Sequence, residues 1–344
     1  MESLAHIDRI THVHRNQPHT GQLSSKTTSI TLTGKSFRTV SRAILSHGFM
    51  ELKMTVTIVI CTRKRPFFLR KCLEAIANLE PAPNEVIVVD NTSGDTETES
   101  IARGFSARYI VEPIPGLSRA RNRGLTESRF EIVAYLDDDA VPDKRWLEFM
   151  LEPFADPDVA VVTGKVISSK SSAGAFAQEP ARSLSNKDYR WFEIAAFGSM
   201  GGIGASMALR KAACMSWKVF DERLGRGAPL LGNEEHHAFV GLLLLDNRAV
   251  HVPAAVIFHP SKPRSDEQES ACRLAYWWLL FFEFPGHRLG LIRYLFRHLL
   301  RISLNGSPIP PGSGYIATCG WRGRIKVGLS GTLLYLRNRK SKVK

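Results

Sequence analysis

The chain has 344 residues, 44% of them hydrophobic, and a net charge of +13. That length suits one large domain or two ordinary ones, with ample material for a core. The charge is not spread as a nucleic-acid enzyme would spread it over a working domain. Residues 1–53 hold seven Lys/Arg and three Asp/Glu, residues 284–344 hold twelve Lys/Arg and no acid, and the stretch between is left at −3. No apolar run reaches the ~20 residues of a membrane-spanning helix, and no N-terminal stretch has the form of a signal peptide. The five cysteines (Cys61, Cys72, Cys214, Cys272, Cys319) are scattered without a CxxC pair. They read as reduced thiols of a cytoplasmic protein, with no zinc site.

Residues 1–53 are rich in Ser, Thr and His and show little periodicity, which predicts a poorly ordered basic extension. Met54 then heads "MTVTIVICT" and is a second candidate start. Residues 55–61 read as a β-branched strand. Phe68, Leu69, Cys72, Leu73, Ile76 and Leu79 have helical spacing. "EVIVVDN" (85–91) is apolar on both faces, as a strand of a covered parallel sheet is. Residues 107–113 predict a third strand. Ser118 is the expected cap of a helix running to about Glu127. "EIVAYLDDD" (131–139) predicts a fourth strand, Pro142 and Asp143 the opening of a helix, and 159–166 a fifth strand. This alternation implies a doubly wound α/β sheet, with ligands at the carboxyl ends of its strands. Thr62–Arg63, Asp90–Asn91 and Asp137–Asp139 all fall at that end.

Past residue 170 the alternation weakens. "GSMGGIGASMALRK" (198–211) is glycine-rich and then apolar. "AVHVPAAVIFHP" (249–260) reads as extended. Residues 273–305 are aromatic, leucine-rich and basic, and a Pro/Gly loop (306–314) and a basic tail follow.

Three consecutive aspartates behind a buried strand need an explanation. Two carboxylates ~5 Å apart repel by roughly 3 kcal/mol at an effective dielectric of ~20. A turn with one capping Asp explains a single aspartate better than it explains three. A divalent cation resolves the repulsion, and carboxylate oxygens suit Mg²⁺ or Mn²⁺. Such a cation would hold a diphosphate and neutralise its charge as it leaves.

"VTIVICTRKRP", "EVIVVDNTSGD", "GLSRARNRGL", "YLDDDAVPDKRWLE" and "FDERLGRGAPLLGNEEHHAF" resemble, in order, the motifs of glycosyltransferase family 2. The resemblance covers about residues 54–260. It implies a GT-A fold: α/β, with a mostly parallel nucleotide-binding sheet flanked by helices. It implies a nucleotide diphosphate sugar as donor. Thr62, Arg63 and Asp90 match the positions that hold nucleobase and ribose, and Arg121 the arginine near the diphosphate. Asp137 and Asp139 match the outer acids of the DxD motif. Asp139 is the first expected ligand of Mg²⁺ or Mn²⁺, with Asp137 assisting and Asp138 facing donor hydroxyls. "GNEEHHAF" resembles a segment whose second acid is the catalytic base of inverting members. That position is Glu235, and Glu234 beside it is structural or acceptor-facing. Some members of the fold use a histidine near His259 as a further metal ligand. Ser206 replaces the usual Asn of the sugar pocket, so no sugar preference carries over.

The run "LAYWWLLFF" with Arg288, Arg293, Arg297 and Arg301 is too short to span a bilayer and fits an interfacial helix drawn to anionic lipid. A helix packed on the domain is the alternative. The division expected is a basic extension (1–53), a GT-A domain (54–265) and a helical, membrane-associating region (266–344). The reading is a metal-dependent, inverting glycosyltransferase with a glycan or lipid-linked acceptor, acting in cell-surface glycan or glycolipid synthesis. It would be cytoplasmic, or peripheral on the inner face of the membrane, with no nucleic-acid partner. Transfer to a polyprenyl phosphate, or non-catalytic nucleotide and sugar binding on the same fold, are the alternatives.

Overall fold

The computed structural model describes residues 54–168, 179–198, 204–217, 219–260, 267–304 and 321–338. The expectations for residues 1–53, for the glycines at 201–202 and for the loop 306–314 lie outside the described residues. From the N-terminal side run β1 (Val56–Thr62), α1 (Pro66–Ile76), β2 (Glu85–Asp90), α2 (Thr96–Gly104), β3 (Arg108–Val111), α3 (Leu117–Glu127) and β4 (Ile132–Asp137). β3, β2, β1 and β4 are parallel neighbours in that order. Val59 and its neighbours Ile58 and Ile60 point to opposite faces and enter different cores, so both faces are covered. Register does the rest: Thr62 pairs with Asp90, and Cys61 with Asp137. The polar ends of three strands therefore stand level on one rim.

Beyond β4 the parallel pattern stops. β5 (Val141–Pro142) is followed by α4 (Trp146–Leu151), β6 (Val159–Ser168), β7 (Arg182–Ser185), α5 (Trp191–Ala196), β8 (Ser206–Arg210), α6 (Lys211–Cys214), α7 (Glu234–Leu244) and β9 (Arg248–His259). β8 lies antiparallel between β4 and β6, so the sheet is mixed. The expected fifth strand exists, but it does not adjoin the fourth. The helix expected at Pro142 begins at Trp146, because Val141–Pro142 pair with β9 first. Nor does Ser118 cap α3: the residue before the helix is Gly116, and Ser118 Oγ donates to Leu224 O at 2.7 Å from inside the first turn.

Among the described residues the C-terminal part forms the helices α8 (Glu267–Glu283), α9 (Arg288–Leu304) and α10 (Trp321–Asn338). Pro285 separates α8 from α9. Ala275, Tyr276, Trp277, Leu279 and Leu280 are buried in the same core cluster as Val59 and Val133. Most of "LAYWWLLFF" thus packs against the protein, not against lipid, and only Phe282 of that run is exposed. α10 lies closely on α8. A Cβ at Gly331 would sit 2.7 Å from Ala271 O and 2.9 Å from Leu274 Cβ. Among the described residues no helix is long and apolar enough to cross a membrane.

Candidate functional site

β4 ends at Asp137 and the chain turns at once, with Ala140 N donating to Asp137 O at 3.0 Å. The three carboxylates diverge. Asp138 is turned inward and buried. It accepts from Thr62 Oγ1 at 2.8 Å and from Arg65 Nη1 at 2.5 Å. Burial pushes its carboxyl up to about 6, against the pull of Thr62 and Arg65. This geometry ties Asp138 to the scaffold. Arg65 also donates to Asp139 Oδ2 at 2.6 Å, which makes it a clamp on two of the three acids. Sequence reasoning passed over Arg65. The available signal was its place, the last cation before Pro66 at the start of α1.

His259 closes β9. The pairing of Val141 with Phe258 brings it to the triplet, only two residues after Asp139. Its Nδ1 lies 2.8 Å from Pro260 O. A carbonyl only accepts, so Nδ1 carries the proton and Nε2 is turned to the carboxylates. Nε2 lies 2.8 Å from Asp139 Oδ1 and 3.5 Å from Asp137 Oδ2. Asp139 Oδ1 and His259 Nε2 are both buried, and they form an ion pair when the imidazole is protonated. One ligand atom each of Asp137, Asp139 and His259 lies within 4.8 Å of the others. Two hard oxygens and an imidazole converging within 4.8 Å of one another fit a divalent cation such as Mg²⁺ or Mn²⁺. The local charge balance agrees. Asp137 and Asp139 raise His259 to about 10. Burial pushes Asp139 up, but His259 and Arg65 outweigh it and hold the carboxyl well below the usual range. The cluster favours positive charge at its centre.

The acid pair arrives from the other side. Gly232 (φ +80°) and Asn233 (φ +65°) take left-handed conformations, and α7 starts at the next residue. Glu234 is buried and accepts from Arg121 Nη1 at 2.8 Å. Arg121 Nη2 reaches Gly204 O at 3.1 Å and Asp137 Oδ1 at 3.4 Å. A Cβ at position 204 would stand 2.8 Å from that nitrogen, so a larger residue there would push the Arg121 guanidinium. Arg121 is 3% exposed and links the DxD acids to the acid pair. Burial works to lower its pKa, but Glu234 and Asp137 raise it further. Burial, then the charge of Glu235, push Glu234 up to about 7 against the pull of Arg121. Glu235 is half-buried on the same turn, and Gly204 N approaches its Oε1 at 3.5 Å. On the far side of α7, His237 Nε2 lies 3.5 Å from Glu283 Oε1 of α8.

Other expected residues are placed more quietly. Asp90 is buried, and both oxygens are engaged by Thr92 Oγ1, Asp95 N and Tyr109 Oη. Arg63 is exposed on the rim beside Gly227. Arg119 pairs with Glu222 at 2.8 Å and Arg123 with Glu127 at 3.0 Å, so α3 turns only Arg121 of the three arginines towards the acids. Ser206 is buried and accepts from Trp146 Nε1 at 2.9 Å.

The family described as Glycosyl transferase family 2 matches residues 57–215. Glycosyltransferase AglE of Haloferax volcanii is 33% identical over 131 residues, 36% of this chain and 43% of that protein. Succinoglycan biosynthesis protein ExoM of Rhizobium meliloti is 27% identical over 275 residues, 76% of this chain and 83% of that protein. The chain spans less than half the length of several other curated relatives, including 24% of a pre-mycofactocin glycosyltransferase of Mycobacterium tuberculosis. Among solved structures, the mannosyltransferase PcManGT from Pyrobaculum calidifontis in complex with GDP-Man and Mn²⁺ superposes with a TM-score of 0.52 at 15% identity. The match covers 89% of this chain and 94% of that one, and it establishes a shared GT-A fold.

Proposed function

We propose that this chain, whose residues 57–215 match glycosyl transferase family 2, moves a sugar from a nucleotide diphosphate sugar to a hydroxyl acceptor with inversion at the anomeric carbon. Asp139, Asp137 and His259 would hold Mg²⁺ or Mn²⁺. When bound, the ion neutralises the departing diphosphate. Thr62 and Arg63 stand where a nucleoside would lie, at the carboxyl end of β1. Arg65 and Thr62 keep Asp138 inward, which leaves Asp137 and Asp139 to face the donor. Arg121 holds Asp137 and Glu234 at fixed positions. Glu235 takes the proton of the acceptor hydroxyl as that oxygen attacks. Glu234, pinned by Arg121, supports the helix start that presents it.

The observation that carries this reading is the convergence of Asp137, Asp139 and His259, one ligand atom of each within 4.8 Å of the others, joined through Arg121 to the acid pair. The test is donor consumption with UDP-, GDP- and dTDP-sugars, in Mn²⁺, Mg²⁺ and EDTA. Turnover of one donor that EDTA abolishes and Mn²⁺ restores is expected. Metal-independent turnover would remove the metal from the reading, and nucleotide binding without any turnover would favour a non-catalytic protein.

The acid-free, basic C-terminal end favours an acceptor held at an anionic membrane surface. That keeps transfer to a polyprenyl phosphate as a second reading. Its phosphate is already a nucleophile, so that reaction would survive Glu235→Gln.

A further inference from the structure

α10 buries one side and exposes the other. Val327 and Gly331 face inward, Gly331 against α8. On the opposite side Leu329, Leu333 and Leu336 are 62%, 53% and 44% exposed. Their spacing, i, i+4 and i+7, places them along a single stripe. Phe282 at the end of α8 is 52% exposed and stacks on Tyr335 of α10 at 5.4 Å and 9°, so it extends the same surface. A helix with one face already packed has no structural use for three exposed leucines in a row. An exposed apolar face of this kind marks an interaction site.

The charge of the C-terminal sequence, with exposed Arg337 beside the stripe, selects the occupant. From residue 284 to the end there are twelve Lys/Arg and no acid. Arg337 is exposed next to Leu336. α9 repeats the combination, with Leu289, Ile292 and Phe296 exposed at i, i+3 and i+7 beside exposed Arg293. Two copies meeting through such faces would bring like charge together. A surface of acidic headgroups over acyl chains complements both the leucines and the arginines. With no described helix able to cross a bilayer, contact in the plane of the interface is the geometry that remains.

We propose that the outer face of α10, Leu329–Leu333–Leu336 with Phe282, is the element that docks this protein on an anionic lipid bilayer. The proposal rests on the membrane-surface reading above and names the residues that make the contact. It places the contact within the region 266–344 expected from the sequence to associate with a membrane, on α10, since most of "LAYWWLLFF" is buried in the protein.

The test is co-sedimentation of the full chain with vesicles of phosphatidylcholine alone or with about 30% phosphatidylglycerol. Binding to the anionic vesicles only, weakened by added salt, is expected. The variant Leu329→Ser/Leu333→Ser/Leu336→Ser should partition at least about tenfold less while its metal-dependent donor consumption in solution is unchanged. If that variant fails to fold, Leu333→Cys carrying an environment-sensitive fluorophore should shift to the blue with anionic vesicles. Equal partitioning of variant and parent, or an unshifted fluorophore on bound protein, overturns the assignment to α10 while the membrane reading stands. No binding of the parent to anionic vesicles overturns both. A parent dimer that the triple variant abolishes assigns the stripe to a second copy and overturns the proposal.

Discussion

Arg121 donates to Glu234 at 2.8 Å from a guanidinium that is almost wholly buried, and its other arm reaches Asp137. Removing the cation leaves Glu234 buried and unpaired. Breaking one side of a buried pair costs about 3–5 kcal/mol. Arg121→Met should lower the urea midpoint accordingly and abolish transfer. Arg121→Lys keeps the charge but not the two-armed reach, so it should recover part of the stability and little of the turnover. A midpoint unchanged in Arg121→Met would mean that the link bears no strain.

Glu234 also sets a pH dependence. Its folded-state value is raised to about 7 by burial and then by Glu235. The fold therefore binds this proton more tightly than the unfolded chain does. Its contribution to stability is complete below about pH 4.3 and is lost as pH rises through about 7. Glu234→Gln has no such proton to lose. Its stability relative to the parent should rise by about 1–3 kcal/mol between about pH 5 and pH 8. Urea unfolding at the two pH values measures this. A relative stability that falls with pH would contradict the assigned direction.

Metal binding separates ligands from scaffold. Asp139→Ala and His259→Ala should each weaken Mn²⁺ by at least about tenfold in calorimetry with nucleotide diphosphate present. Asp90→Asn, whose parent carboxylate is spent on Thr92, Asp95 and Tyr109, should leave the Mn²⁺ affinity within about twofold. Equal losses in all three would show a general loss of fold.

Glu235→Gln should lower kcat by about 10²–10⁴ with the donor KM little changed, because the group acts on the acceptor proton. Glu235→Asp shortens the reach by one methylene and should fall between. Full activity of Glu235→Gln with a hydroxyl acceptor would take the base role from this residue.

Gly331→Val places a branched side chain where Ala271 O and Leu274 Cβ already stand 2.7 and 2.9 Å from a Cβ. Overpacking of this kind costs about 1–3 kcal/mol. A lowered melting temperature, with metal affinity retained, is expected.

The first half of the sheet was legible because both faces of β1, β2 and β4 are covered and the strands are correspondingly apolar. β8 was not legible as a strand inserted beside β4. Its pairing partners, Leu136 with Ser206 and Thr163 with Met207, are long-range, and local periodicity carries no trace of them. Motif order singled out the acids and the end of the extended run 249–260 singled out His259, and the fold brings Asp137, Asp139 and His259 together. Arg65 was not singled out, because a third cation in Arg63–Lys64–Arg65 looks like a solvated run until the fold turns it onto Asp138 and Asp139. The aromatic stretch misled for a related reason. Composition alone does not distinguish a helix buried by its own protein from one buried by lipid.

The family match ends at residue 215, yet α8 supplies Tyr276, Trp277 and Leu280 to the same interior as β1, β2 and β4, and Glu283 to His237. A recombinant fragment trimmed to the matched region would lack Glu235 and His259. One trimmed after His259 would open a wound of buried aromatics along α7. Any shortened version meant to stay monodisperse has to keep Leu291 of α9 and the inward-facing Val327 and Gly331 of α10.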